Sequence, residues 1–170
     1  TTYNTLGIGL PFFQGKTEFG ELHPKPKTWC SAPKKTALPG DILISVRAPV
    51  GPTNVCIDTS CIGRGLAALR TRRGYSNKYL LYYLKHIEKD WDRVATGTTF
   101  KAITGDVLKK CRIPLPALDE QEQIVTKIEE LFSQLDAGTA ALKRVQAGLK
   151  LYRASVLKAA FEGRLVESNV

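Results

Sequence analysis

Apolar positions along this chain follow three successive patterns. After the turn-forming Leu38-Pro39-Gly40-Asp41, the residues Ile42, Leu43, Ile44 and Val46 make a nearly continuous apolar run, the pattern of a strand buried on both faces. Ala48-Pro49-Val50-Gly51-Pro52 breaks it. Residues 53–58 and 65–70 read as further short strands, with the glycine-flanked Cys61–Gly65 as the turn between them. From Ser76 to Trp91 the period becomes helical. Tyr79, Leu80, Tyr83, Leu84 and Ile87 fall on one face, and Ser76 is placed to cap it. Residues 96–105 read as a polar loop, 106–110 as a short helix, and Arg112–Pro116 as an extended exit. These elements predict a mixed α/β (α+β) globular domain over residues 1–118.

The third pattern is a heptad. One series of positions is Ile128, Leu135, Leu142, Leu149 and Val156. The other is Ile124, Leu131, Gly138, Val145, Tyr152 and Ala159. Every site but Gly138 is apolar or aromatic, which predicts a coiled-coil helix. Asp119 with Glu122 three residues on resembles a capping box, and Gly163 is a natural stop. The predicted helix fills 119–165, with 166–170 as a tail. A helix of about 43 residues within that span reaches roughly 64 Å at 1.5 Å per residue, more than the preceding domain covers. Part of the seam is therefore expected to meet another chain, or a segment outside this one. Phe132 lies just off the seam.

Charge separates the same two regions. Residues 1–118 carry 18 basic and 8 acidic side chains, whereas residues 119–170 carry 7 and 8. A surplus of that size on a globular segment points to a polyanion such as nucleic acid, the competing reading being a charge kept for solubility. No apolar run approaches the length of a membrane span, and the first residues lack the features of a signal peptide. The absence of methionine suggests a piece of a longer or processed chain. Cys30, Cys56, Cys61 and Cys111 have no metal-ligand spacing, and fit small buried thiols in a reduced, cytoplasmic protein.

Catalytic patterns are weak. Gly9–Thr17 resembles a phosphate-binding loop, but its spacer is one residue too long and holds Pro11, Phe12 and Phe13. Gly63 and Gly65 lack the third glycine of a dinucleotide fingerprint. Two histidines leave little for acid–base work, and Asp90 and Asp92 do not converge on a helix. A non-catalytic binding module is the simplest remaining class.

Four segments together carry a family resemblance: GDILISVRAPVG at 40–51, CIGRGLAAL at 61–69, GTTFKAITGDVLKKCRIPLPALDEQEQIV at 97–125 and LKAAFEGRL at 157–165. The chain resembles the specificity subunit of type I restriction–modification enzymes, covering one target recognition domain and one conserved helix of a subunit that usually has two of each. The resemblance implies that the domain reads half of a bipartite site in double-stranded DNA. It implies that the helix spaces the domains and docks methyltransferase subunits. S-adenosylmethionine then belongs to those subunits, and ATP and magnesium to a restriction and translocation subunit, leaving this chain without cofactor or catalytic role. With a single repeat, two chains are expected to pair through antiparallel helices. The outer face, including Glu129, Glu130, Lys143 and Arg144, would remain for the methyltransferase.

Base readers need amide or bidentate side chains on exposed loops. Gln14 and Lys16 beside the Phe-rich loop, Arg47 at a strand end and Arg64 between two glycines fit that need. Arg64 is so placed that a partner's backbone could come close. Thr98, Thr99 and Lys101 precede a family block, and Arg70, Arg72 and Arg73 form a cluster suited to phosphates. The ordinary alternative for each is a solvated charge or a loop hydrogen bond. Tyr82, Tyr83 and Trp91 read as core. A reading of a different class is a coiled-coil scaffold whose basic domain binds an acidic protein.

Overall fold

The structure, a computed structural model, describes residues 2–97 and 101–165. The chain divides into two units, Thr1–Val125 and Thr126–Val170.

The first unit has two sheets. One contains β1 (Tyr3–Asn4), β2 (Leu10–Phe13), β3 (Thr28–Cys30), β4 (Thr36–Ala37) and β7 (Ser60–Ile62), in the order β1-β3-β2-β7-β4. The other contains β5 (Ile42–Ser45), β6 (Thr53–Val55) and β8 (Leu66–Leu69), in the order β6-β5-β8. Every strand pair is antiparallel except β2 with β7, where Phe12 aligns with Cys61 and Phe13 with Ile62. The expected turn at Cys61–Gly65 is narrower in the structure: Cys61 and Ile62 belong to a fully buried strand, and the turn begins at Gly63, closed by the Leu66 N–H donating to the Gly63 carbonyl at 3.2 Å.

The continuous apolar run of β5 has a direct physical cause. Ile42 and Ile44 face a core built with Val50, Leu81, Leu84, Trp91 and Ile103. Leu43, on the opposite face, joins Phe13, Ala37, Cys56, Ile62 and Leu66. A strand buried on both faces has no polar alternation to show.

Three helices follow: α1 (Asn77–His86), α2 (Trp91–Val94) and α3 (Gly105–Lys110). The Ser76 hydroxyl caps α1 by accepting from the Tyr79 amide, and Thr104 caps α3 in the same way through Val107. Leu81 and Leu84 are the side chains α1 buries. Tyr79 and Tyr83, expected on the apolar face, lie to its side. Their hydroxyls donate to the carbonyls of Pro114 and Arg112, each at 3.1 Å, and so lace the extended 112–116 segment to the helix.

A fourth helix, α4 (Leu118–Phe161), has 44 residues and a length of roughly 66 Å. Asp119 lies inside its first turn rather than capping it, where its charge favours the positive end of the helix dipole. Gln121 and Val125 bury this end within the first unit. The Gln121 amide accepts from the Ser76 N–H at 3.0 Å and donates to the Pro116 carbonyl at 2.8 Å. One side chain thus ties the starts of α1 and α4 together.

Along the second unit the heptad seam is open. Leu131, Leu135, Leu142, Val145, Leu149 and Tyr152 are 50–72% exposed, while Ile124, Ile128 and Val156 are half-buried. A Cβ built on Gly138 would meet nothing within 4 Å. The helix ends as expected. Gly163 has φ +69°, its N–H reaches the Ala160 carbonyl at 3.1 Å and that of Arg164 reaches Ala159 at 2.9 Å, the Schellman closure. Charge along α4 is segregated. Residues 118–139 hold six carboxylates and one lysine, and residues 140–161 hold five cations and no carboxylate.

Candidate nucleic-acid interface

Where β2 and β7 end side by side, two distant segments meet. The Gly63 N–H donates to the Phe13 carbonyl at 2.8 Å, so Gln14 and Gly15 continue alongside Gly63-Arg64-Gly65. A Cβ on Gly65 would stand 2.3 Å from the Gln14 carbonyl oxygen, and one on Gly63 would stand 2.2 Å from the Gln14 side-chain oxygen. The two glycines therefore admit the chain's own Gln14 loop, which corrects the expectation that they make room for a partner's backbone. Beyond Gly15 the chain turns through Lys16–Glu18, and the Glu18 carboxylate accepts the N–H groups of Gln14 and Gly15 at 3.2 and 3.0 Å. Those amides, which in a phosphate-binding loop would face a nucleotide, already hold a carboxylate.

The β5–β8 register brings in Arg47. Val46 donates to the Gly65 carbonyl at 2.9 Å, so Arg47 follows, and Arg64 precedes, the two residues joined by that bond. Arg47 also bridges to Ala102, and the Ala48 N–H donates to the Lys101 carbonyl at 2.9 Å. Lys101 is thereby placed beside the same strand end. On the other flank β4 pairs with β7, and the Ile62 N–H donates to the Lys35 carbonyl at 2.9 Å. Lys34 and Lys35 thus flank the Gly63 end, with the Lys35 ammonium donating to the Leu66 carbonyl at 2.7 Å.

Gln14, Lys16, Arg47, Arg64 and Lys101 are thus gathered at one end of the two sheets, with Lys34 and Lys35 added, and all are exposed. Sequence reasoning missed the two lysines because they precede a two-residue strand with no apolar pattern. Among the described residues, no carboxylate lies within 4 Å of the cationic groups of Lys16, Arg47 or Arg64, while Lys101 holds Asp92 loosely at 3.5 Å. Thr98 and Thr99 lie outside the described residues.

Arg70, Arg72 and Arg73 are elsewhere. β8 runs from Leu66 to Leu69, so Arg70 lies at its opposite end, about 13 Å from Leu66 along the strand. Arg70 grips the Asp41 carboxylate with two nitrogens, at 2.6 and 2.8 Å. Asp41 is buried, and also accepts the Leu38 N–H at 2.8 Å. Burial pushes its carboxyl up, but the Arg70 guanidinium and the Leu38 amide outweigh that and hold it below the ordinary value. Arg70 therefore has a structural task, and its charge is matched within the fold. Arg72 and Arg73 are exposed.

The thiols of Cys30, Cys56 and Cys61 are buried and that of Cys111 half-buried, and burial pushes those of Cys56, Cys61 and Cys111 up from their ordinary value, toward the inert form. Among the described residues no group of histidines, cysteines and carboxylates could hold a metal ion, and no helix is long and apolar enough to cross a membrane.

Residues 32–147 match the family described as the type I restriction modification DNA specificity domain. The putative type I restriction enzyme MjaX specificity subunit of Methanocaldococcus jannaschii is 42% identical over 132 residues, covering 77% of this chain and 31% of that protein. The EcoBI specificity subunit of Escherichia coli is 27% identical over 136 residues, covering 77% and 28%. Among solved structures, the HsdS subunit from Thermoanaerobacter tengcongensis superposes with a TM-score of 0.78 at 50% identity, covering 97% of this chain and 40% of that one. A chain from a study of complex assembly and conformational transition in the type I R-M system gives 0.81 at 51% identity, covering 96% and 41%. The chain thus spans about a third of the curated relatives it matches.

Proposed function

The chain belongs to the type I restriction–modification DNA specificity family, and from that premise we propose that it is a non-catalytic module reading one half of a bipartite duplex DNA target. The supporting observation is the convergence of Gln14, Lys16, Arg47, Arg64 and Lys101, from four separate segments, on one exposed basic end. Guanidinium groups read guanine edges in two-pronged fashion, amides read adenine, and lysines hold phosphates. Arg47 and Arg64, which flank the Val46–Gly65 bond and have no carboxylate partner among the described residues, are the base readers. Lys16, Lys34 and Lys101 position the backbone.

The helix serves assembly. Leaving six apolar seam residues in water forgoes about 1.5–3 kcal/mol each relative to burial, so a partner covers them. That partner is a second copy, running antiparallel. Charge favours this orientation, since the acidic half of each helix then lies along the basic half of the other. A helix-dipole preference alone would place charges only in the first and last turns, and those at Glu129, Glu130, Asp136, Lys143 and Arg144 lie beyond it. Methyltransferase subunits dock on the outer face and bring S-adenosylmethionine, while ATP and magnesium belong to the restriction and translocation subunit.

The test is binding of a cognate duplex by the assembled complex across a salt series. Arg64→Ala is expected to weaken binding by about 1–3 kcal/mol, with loss of discrimination at one base pair. Lys34→Ala is expected to lower the slope of log affinity against log salt by about 1, equally on all sequences. Affinity unaffected by both changes at low salt would contradict the assignment of this end. An affinity for duplex DNA that ignores salt would contradict DNA binding itself.

A further inference from the structure

The recognition unit carries an apolar cleft of about 140 Å³ whose walls include Tyr75, Tyr79, Leu80, Ile113 and Leu115, together with the buried Gln121. Leu115 is 59% exposed and Tyr75 44%, so the rim is open. The position of Gln121 gives the cleft its direction. It precedes Ile128 by one heptad, so it continues the same series as Ile128 and Leu135. Gln121 is itself buried, so the cleft lies beside the first turn of α4 and its exposed rim is formed by Tyr75 and Leu115.

Register says what arrives there. In antiparallel coiled coils the first core position of one heptad faces the fourth of the other. The alignment that satisfies this along the whole of α4 pairs Gly138 with Leu142, Leu131 with Leu149, and Ile124 with Val156 of the other copy. Its centre lies at residue 140, where the charge of the helix changes sign. Shifting the alignment by a heptad shortens the seam and sets like charges together. Small Gly138 then faces large Leu142, and nothing of the chain's own fills the space above that glycine. The same alignment carries Ala159 to Gln121. The small Ala159 and Ala160 allow close approach, and the Gly163 turn sends Leu165, 54% exposed, beyond the helix end.

Resting on the antiparallel pairing given above, we propose that the last turn of each α4 and its cap, Ala159–Leu165, docks in the cleft of the other copy's recognition unit. Each recognition unit is then held by its own helix through Gln121 and Val125 and by the partner's helix through this cleft. Two contacts of that kind would fix the distance between the two recognition units.

Cysteine cross-linking of mixed chains tests this in the full-length protein, with Cys111→Ser as the background. Leu115→Cys protein is mixed with Leu165→Cys protein and oxidised. In parallel, Leu131→Cys is mixed with Leu149→Cys to report the seam alone. A covalent dimer from both mixtures, with neither single variant linking to itself, is the expected result. A dimer linked at 131–149 but not at 115–165 would overturn the docking and leave the pairing intact. Absence of both links, with a monomer by light scattering, would overturn the pairing and the docking with it.

Discussion

At the scale of single residues, charged side chains that look alike in sequence have different tasks. Arg64 and Arg70 both flank β8, yet among the described residues Arg64 meets no carboxylate while Arg70 closes on buried Asp41. Arg70→Ala should therefore lower stability and leave the DNA affinity of the folded protein unchanged, the reverse of Arg64→Ala. The sign of the pH effect follows from Asp41. Its native carboxyl is held below the ordinary value, despite the upward push of burial, by Arg70 and the Leu38 amide. Its contribution is thus fully present above about pH 4, the unfolded value, and is lost as the pH falls through the lower native value. Urea unfolding of wild type and Arg70→Ala should show a stability gap that narrows below about pH 4. A gap that widens on acidification would contradict the role given to this pair.

At the scale of elements, Gln121 links three of them. Its buried amide satisfies the Ser76 N–H and the Pro116 carbonyl. Gln121→Leu strands both groups, at about 1–3 kcal/mol for an unsatisfied buried polar group, and should lower the thermal midpoint without affecting the far end of α4. Retention of wild-type stability would mean that other contacts anchor the helix. The elements legible in the sequence were those with a long period, a clear cap or breakers beside them: β5, β6, β8, α1 behind Ser76, α3 and the heptads of α4. The four strands before Leu38 were not, because each has two to four residues and Pro11 sits within one of them. The candidate site was half legible. Its residue types could be picked out, but their meeting depends on the parallel β2–β7 pair, which joins residues about 50 apart and leaves no local pattern. The Arg70 cluster looked equally suitable because nothing near it in sequence announces Asp41.

At the scale of the whole molecule, the uncovered seam and the two oppositely charged halves of α4 are the grounds for the proposed two-fold assembly. Leu135→Asp and Leu142→Asp should convert a dimer to a monomer in light scattering, since each puts a charge into a core layer. Variants that dimerise as well as wild type would assign the seam to another partner. A two-fold dimer of identical readers has a consequence for the DNA itself, as both halves of its target must share one sequence in opposite orientation. Selection from random duplex DNA by the chain assembled with its methyltransferase subunits measures this most directly. The expected outcome is an enriched motif of two inverted, identical half-sites at a fixed spacing, lost with Arg64→Ala. Recovery of no motif, with the pool retained at random, would contradict it.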